Sequence, residues 1–322
     1  MSKYLEQERT KAVKLIQSGH PIFEGAIGGM KFLKKERPFV LQQSLKNLHP
    51  AIRTEAVQYF EENNISWWGG RKPTGHVLSS QIACLNHLFA IRKDKTAVLV
   101  LAQEINPEFV EVLLIESDKF SPGYIQFEAV SDIDHLNEGS PNRGSNCTSI
   151  DALIYARHKN GSLWLIPIEW KYTEHYANQD KAKEGYTKDP NGCKGVVRQR
   201  RYNDLIKNST QLKSDDLTVY YFEPFYQLMR QTLWAEQIVA NKPQERLKAD
   251  NYIHVHVIPS ANTDLLHKRY RCSGMNMQDT WRSYLRDQSQ YQILTPQQLM
   301  AGLISNVTYE PLLDYLSIRY PS

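Results

Sequence analysis

Four cysteines in 322 residues, Cys84, Cys147, Cys193 and Cys272, are too few and too scattered for a disulfide framework. With no Cys-x-x-Cys pair they make no zinc site either, and they read as packing residues or free thiols. No apolar run approaches the roughly 18 residues that cross a bilayer, and Met1 to Glu8 lacks the apolar core of a signal peptide. A cytoplasmic protein without a membrane partner is the expectation. The chain has no Gly-x-x-x-x-Gly-Lys-Ser/Thr loop, so ATP-driven translocation is not its work. It has no Gly-x-Ser-x-Gly elbow, which ranks a small-molecule serine hydrolase last. Repeats, low-complexity tracts and a clear linker are absent. The net charge of +4 is too small to argue for nucleic acid by itself. What is present is ordinary for a folded chain: 41% apolar, 23% charged and 11% aromatic residues, enough to bury a sizeable core in one elaborated domain or two.

Asp-x-Lys occurs nowhere in the sequence and Glu-x-Lys occurs once, at Glu169-Trp170-Lys171. The segments 148–157 and 163–172 read as consecutive strands, and Lys159, Asn160 and Gly161 between them are a turn signal. With Gly161 in a left-handed conformation, His158 faces Ser162 and paired residue numbers sum to 320. That arithmetic sets Asp151 opposite Glu169, with Lys171 on the same face two residues on. Two readings follow. One is an exposed cross-strand ion pair of little energetic weight. The other is a site for a hard divalent ion: adjacent carboxylates repel unless a cation joins them, and Mg²⁺ takes one or two carboxylates and keeps water and phosphate oxygens elsewhere. In that reading the Trp170 carbonyl is a third ligand, and Lys171 orients or helps deprotonate the attacking water and steadies the oxyanion.

Ser149-Ile150-Asp151 followed by Ile168-Glu169-Trp170-Lys171 resembles the PD-(D/E)XK nuclease superfamily, and within it the branch of bacterial restriction endonucleases. The segments 223–231 and Ser79 to Asn86 are similar to that branch as well. Ile150 stands where the superfamily's name has proline, and Trp170 is larger than the usual middle residue. The resemblance implies an α/β fold with a mixed central β-sheet flanked by helices, here with N-terminal helical additions. It implies Asp151, Glu169 and Lys171 as catalytic residues, Mg²⁺ (or Mn²⁺ in its place) as cofactor, and double-stranded DNA as substrate in a restriction or defence role. A homodimer and a cognate methyltransferase are compatible with it, though neither is visible in the chain. The rival from another class is a catalytically inactive nucleic-acid-binding protein with the same fold.

The remaining expectations concern organisation. Helices are expected over Leu5 to Ile16, Ala51 to Asn63, Ser79 or Ser80 to Ile91, Ala97 to Glu104, from Pro224 through Ile238, and over 277–285, 296–304 and 310–318. Strands are expected over 109–115, 124–130, 217–222 and 252–258. One continuous unit is expected, a helical extension over 1–75 packed on a nuclease domain over 76–322. Glu128 is a candidate additional metal ligand, and Gln81, Gln227 and Gln231 are candidate site-lining residues with an ordinary polar flank as the alternative. Between Lys171 and Lys213 ten Lys or Arg outnumber five Asp or Glu. Within that stretch a helix near 195–206 offers Arg198, Gln199, Arg201 and Tyr202 to a phosphate backbone, or simply to solvent. The loop 186–195 suits a flap over DNA. His254 and His256 share a strand face, and a structural role is preferred for them and for His76 over metal binding.

Overall fold

A computed structural model describes residues 2–117, 120–139, 147–177, 179–185, 188 and 192–321. A seven-stranded mixed sheet runs through it, formed by β1 (Phe109–Val112), β2 (Ile125–Ala129), β3 (Ile150–His158), β4 (Leu163–Trp170), β5 (Asn251–Tyr252), β6 (His254–Val257) and β7 (Tyr291–Leu294). The hairpin of β3 and β4 is the centre. On the far side of β3 both β1 and β2 pair antiparallel, β1 near its end and β2 near its start. On the far side of β4, β5 and β6 pair parallel, and β7 continues parallel beyond β6. The turn is the expected one: the His158 N–H donates to the Ser162 carbonyl at 2.9 Å, and Gly161 has φ +89°. From Arg157↔Leu163 to Ala152↔Ile168 every pair sums to 320, as the sequence predicts.

β3 reads Ala-Leu-Ile-Tyr-Ala over 152–156 without polar interruption because both its faces are covered. Ala152, Ile154, Ile166, Ile168, Trp170 and Val255 enter one core with residues of α1 (Lys3–Gln17), α2 (Arg53–Glu62), α3 (Ser80–Leu88), α4 (Lys95–Ile105) and, near the C-terminus, the helix Glu310–Arg319. Leu153, Tyr155, Leu165, Tyr252 and Tyr291 enter the opposite core with α5 (Lys194–Asn208), α6 (Phe225–Ala240) and the helix Met277–Ser283. The fold class is α/β, with helices on both faces of a mixed sheet. Tyr4, Phe23, Leu48 and Phe60 share the first core with the sheet, so the N-terminal residues pack directly on it. Ser79 caps α3 by accepting from the Ile82 N–H, as expected from its position.

One expected strand is not formed. Residues 217–222 contain a single 3₁₀ turn, Val219–Tyr221. The β-prone residues there serve ring packing: Tyr220 meets Trp281 and Tyr284 edge-on, and Tyr221 stacks near Tyr226. Parts of two expected loops, 140–146 and 186–187 with 189–191, lie outside the described residues, so the flap read over 186–195 is not placed.

Candidate active site

Register alone builds a row of carboxylates across the sheet. The pairs Phe127↔Ala152 and Ala129↔Ile150 bracket Glu128 and Asp151, which face each other between β2 and β3. One step past Ala152↔Ile168, the same arithmetic sets Asp151 against Glu169. On the other side of β4, Glu169 pairs with His256. The order across four strands is therefore Glu128, Asp151, Glu169, His256. The hairpin is modified at this end: the backbone N–H of Trp170 donates to Asp151 Oδ2 at 2.7 Å, so a carboxylate takes a donor that a regular ladder gives to a carbonyl. Glu128 carries φ +48°, a left-handed backbone that non-glycine residues rarely hold inside a strand.

The electrostatics follow from this crowding. Burial, then the charges of Glu169 and Glu128, push the Asp151 carboxyl well above the usual aspartate range, against the opposing pull of Lys171 and the Trp170 N–H. Burial and then Asp151, Glu128 and Glu169 push the neighbouring Cys84 thiol up as well. The fields of all three acids thus meet at one place. A recess opens there, lined by Gln81, Cys84, Phe127, Glu128 and Asp151 among others. Gln81 Nε2 donates to Glu128 Oε1 at 2.7 Å, while its Oε1 accepts from the Trp68 N–H at 2.9 Å. The first turn of α3 and the loop before it therefore close one side of the recess.

Glu169 and Lys171 are buried, 2% and 5% exposed. Lys171 Nζ donates to Glu169 Oε1 and, at 2.7 Å, to Gln227 Oε1. Gln227 Nε2 returns a bond to Glu169 Oε1 at 2.7 Å, and Gln231 Nε2 donates to Glu169 Oε2. Gln227 and Gln231 lie one turn apart on α6, so that helix clamps the second acid from above the sheet. Burial alone lowers a lysine's pKa, but the charges of Glu169, then Tyr176, Glu174 and Asp151, outweigh it and hold Lys171 well above its ordinary value. It is an ammonium, with the Tyr176 ring 6.0 Å from Nζ. Of the two roles expected for it, this favours orienting a water and stabilising charge over taking a proton.

Among the described residues no group of three or more His, Cys, Asp or Glu side chains encloses a metal position. Ca²⁺ favours a cage of many protein oxygens. Mg²⁺ asks for less: one or two carboxylates, with water and substrate oxygens completing its shell. Asp151 is a half-buried acid under net negative field at the recess, and that environment fits a hard cation.

Comparison with protein families matches residues 2–321 to the model described as restriction endonuclease associating with ARP. The chain belongs to that family. No curated protein and no solved structure matches it. The restriction endonuclease resemblance read from the hairpin is thus borne out over nearly the whole chain.

The basic helix expected to seat DNA is α5, and in this family member it faces inward more than its composition suggests. Tyr202 is the clearest correction: it is 1% exposed, and its hydroxyl donates to Glu138 Oε1 at 2.6 Å. It packs in the core instead of presenting a ring to DNA, because the apolar positions Tyr202 and Ile206 form the buried stripe of α5. Arg198 donates to the Lys181 carbonyl at 3.1 Å and to Glu184 Oε2 at 2.8 Å, and lies over the Tyr226 ring. Gln199 and Arg201 are half-buried. Tyr202→Phe is accordingly expected to cost about 1 kcal/mol of stability, measured by denaturant unfolding, and to leave DNA affinity unchanged.

The sequence reading missed Glu138. This buried carboxylate accepts from Tyr202, from Arg230 Nη2 at 2.9 Å, and from the backbone and hydroxyl of Thr148. Thr148 lies three residues before Asp151 on the same chain, so Glu138 anchors the entry to β3 against α5 and α6. Only Arg230, within the family-like segment 223–231, offered a hint of it. His254, His256 and His76 are packed and buried or half-buried, and burial lowers the pKa of all three, so they are neutral.

Proposed function

We propose that this restriction endonuclease family member hydrolyses DNA phosphodiester bonds with the help of a divalent ion held by Asp151 and Glu169. The row of facing acids, with Lys171 bonded to Glu169, carries this reading. The Trp170 carbonyl and Glu128 are the further candidate ligands. A bound Mg²⁺, or Mn²⁺ in its place, supplies charge neutralisation and Lewis acidity at the scissile phosphate. Lys171 donates a hydrogen bond, as an ammonium, to the incoming water or to a non-bridging phosphate oxygen. Gln227 and Gln231 fix Glu169 so that its carboxylate does not rotate away, and Gln227 fixes the ammonium at the same time. Asp151, tied to the Trp170 N–H, keeps the two strands in register at the reacting end. The family description speaks of association with ARP, so ARP as a partner alongside DNA belongs to this reading.

The test is nicking of supercoiled plasmid by the full chain in Mg²⁺, Mn²⁺ or Ca²⁺. Cleavage in Mg²⁺ or Mn²⁺, lost on chelation, is the expected result. Lys171→Met is expected to slow it about 10²–10³-fold, the range for losing one charge-stabilising donor. DNA binding without cleavage in any divalent ion would sink the nuclease reading and leave the binding-protein alternative standing.

A further inference from the structure

Three of the five cations of α5 are paired within the protein, while Arg200 and Arg201 have no ion pair among the described residues and Arg201 lies over the Tyr202 ring. Glu184 alone gathers Arg198, Lys194 and Lys181, while Lys183 pairs with Asp180 and Lys207 with Asp204. Lys213 donates to the Ser283 carbonyl, and Lys171 is buried against Glu169. A second basic region shows the opposite behaviour. Residues 31–37 and 66–72 hold six Lys or Arg, namely Lys31, Lys34, Lys35, Arg37, Arg71 and Lys72, against the single acid Glu36. Arg37 is half-buried and the other five are exposed. Among the described residues none of the six side chains is in an ion pair or a side-chain hydrogen bond.

The shape of this region is set by local chemistry. Lys31–Phe32 pairs antiparallel with Lys35–Glu36, and Leu33 and Lys34 have φ of +49° and +65°, the two left-handed residues of a tight hairpin turn. Phe32 packs on Trp68 with ring centroids 5.0 Å apart, and both rings contact His76, which in turn meets Phe39. The hairpin and the Trp67 to Gly70 turn are therefore one fixed projection and not two loose loops. Trp68 is still 46% exposed and Leu33, at the tip, 79% exposed. This projection stands beside the acid row: the Trp68 N–H donates to Gln81, Gln81 donates to Glu128, and Glu128 and Asp151 line the recess.

We propose that this hairpin and turn form the DNA-seating wing of the protein. Lys31, Lys34, Lys35, Arg71 and Lys72 neutralise backbone phosphates, and the exposed Trp68 ring lies against a sugar or an unstacked base. Unpaired cations cost nothing to release from internal partners and displace condensed counterions from DNA on binding. An exposed aromatic ring among them supplies the stacking surface that acid-rich sites lack. The wing brings positive charge to a recess whose own acids repel a phosphate backbone, so it offsets that repulsion where the strand enters. The proposal rests on the nuclease reading for its substrate, but it is testable without cleavage.

The experiment measures binding of a fluorescein-labelled duplex to the full chain by anisotropy across a salt series, in Ca²⁺ and with Asp151→Asn in all variants. Lys31→Ala/Lys34→Ala/Lys35→Ala and, separately, Arg71→Ala/Lys72→Ala are expected to weaken binding about tenfold or more near 0.1 M salt. Each should also flatten the log–log salt slope by about 0.9 per lost phosphate contact. These positions are exposed, so thermal melting is expected to stay unchanged and certifies the fold. Unchanged affinity and slope in both variants, or loss only with Arg200→Ala/Arg201→Ala on α5, overturns the wing, as does an unmutated wing that binds no duplex. Weakened binding by the variants of a protein that never nicks plasmid upholds the wing and removes the nuclease reading instead.

Discussion

Asp151→Asn is expected to abolish metal-dependent cleavage and, with no metal added, to raise the melting temperature. The two effects have one cause. Burial and the charges of Glu169 and Glu128 act against ionised Asp151. An acid whose carboxyl titrates higher in the folded chain than in the unfolded one contributes stability that is present at acid pH. That stability is lost as pH rises from the unfolded value through the folded one. At neutral pH without metal the wild-type fold therefore carries the strain, and asparagine, which still accepts from the Trp170 N–H, removes it. The metal-free variant is therefore expected to melt above the wild type, each kcal/mol of relieved strain reading as about 2–4 °C in a chain of a few hundred residues. Mg²⁺ at a hundred times its dissociation constant adds about 2.7 kcal/mol to any fold that binds it. The wild type is expected to gain that stabilisation and the variant to lack it. Scanning calorimetry with and without Mg²⁺, beside plasmid nicking, reads both. Equal stabilisation of the two proteins by Mg²⁺, or cleavage by the variant, removes Asp151 from the metal site.

The second large effect lies away from the chemistry. Asn86→Ala is expected to cost about 3–5 kcal/mol and on the order of 10 °C in melting temperature, while the folded fraction keeps its capacity to bind DNA. Asn86 is fully buried. Its Oδ1 accepts from the His49 N–H at 2.8 Å, and its Nδ2 donates to the Asn47 carbonyl and to the hydroxyls of Tyr315 and Tyr320. Asn47 in turn accepts from Arg319, itself buried. One amide thus ties α3 to the chain before α2 and to the C-terminal helix. Alanine leaves a buried backbone N–H without its acceptor and a cavity beside two tyrosines, and each orphaned group costs about 1–3 kcal/mol. Denaturant unfolding showing less than 1 kcal/mol of change contradicts this account. Asn86 and Gln81 sit five residues apart on one helix, yet the first is scaffold and the second touches the acid row.

That contrast marks how far the chain can be read without its structure. Turn length and the alternation of side chains fix a hairpin locally, so the facing of residues 151 and 169 followed from three loop residues, one of them a glycine that tolerates positive φ. The helices at Ser79, Pro224 and Glu310 were legible for the same reason, since caps and apolar spacing are short-range signals. The run 217–222 was misread because buried aromatics and β-branched residues look alike in a strand and in a packed turn. Tyr202 was misread because a basic helix reveals its composition but not which side meets the core.

The β3–β4 hairpin, its register and the family it points to are written in residues a few positions apart. Long-range packing is what brings Glu128 into the acid row from another strand, clamps Glu169 and Lys171 under α6 through Gln227 and Gln231, and sets Glu138 at the entry to β3. The same packing pairs Lys194, Arg198 and Lys207 of α5 with acids, while five exposed cations on residues 31–37 and 66–72 keep no ion pair among the described residues. Those contacts join segments tens to hundreds of residues apart, and sheet order and helix crossover, which no local pattern encodes, set which of them meet.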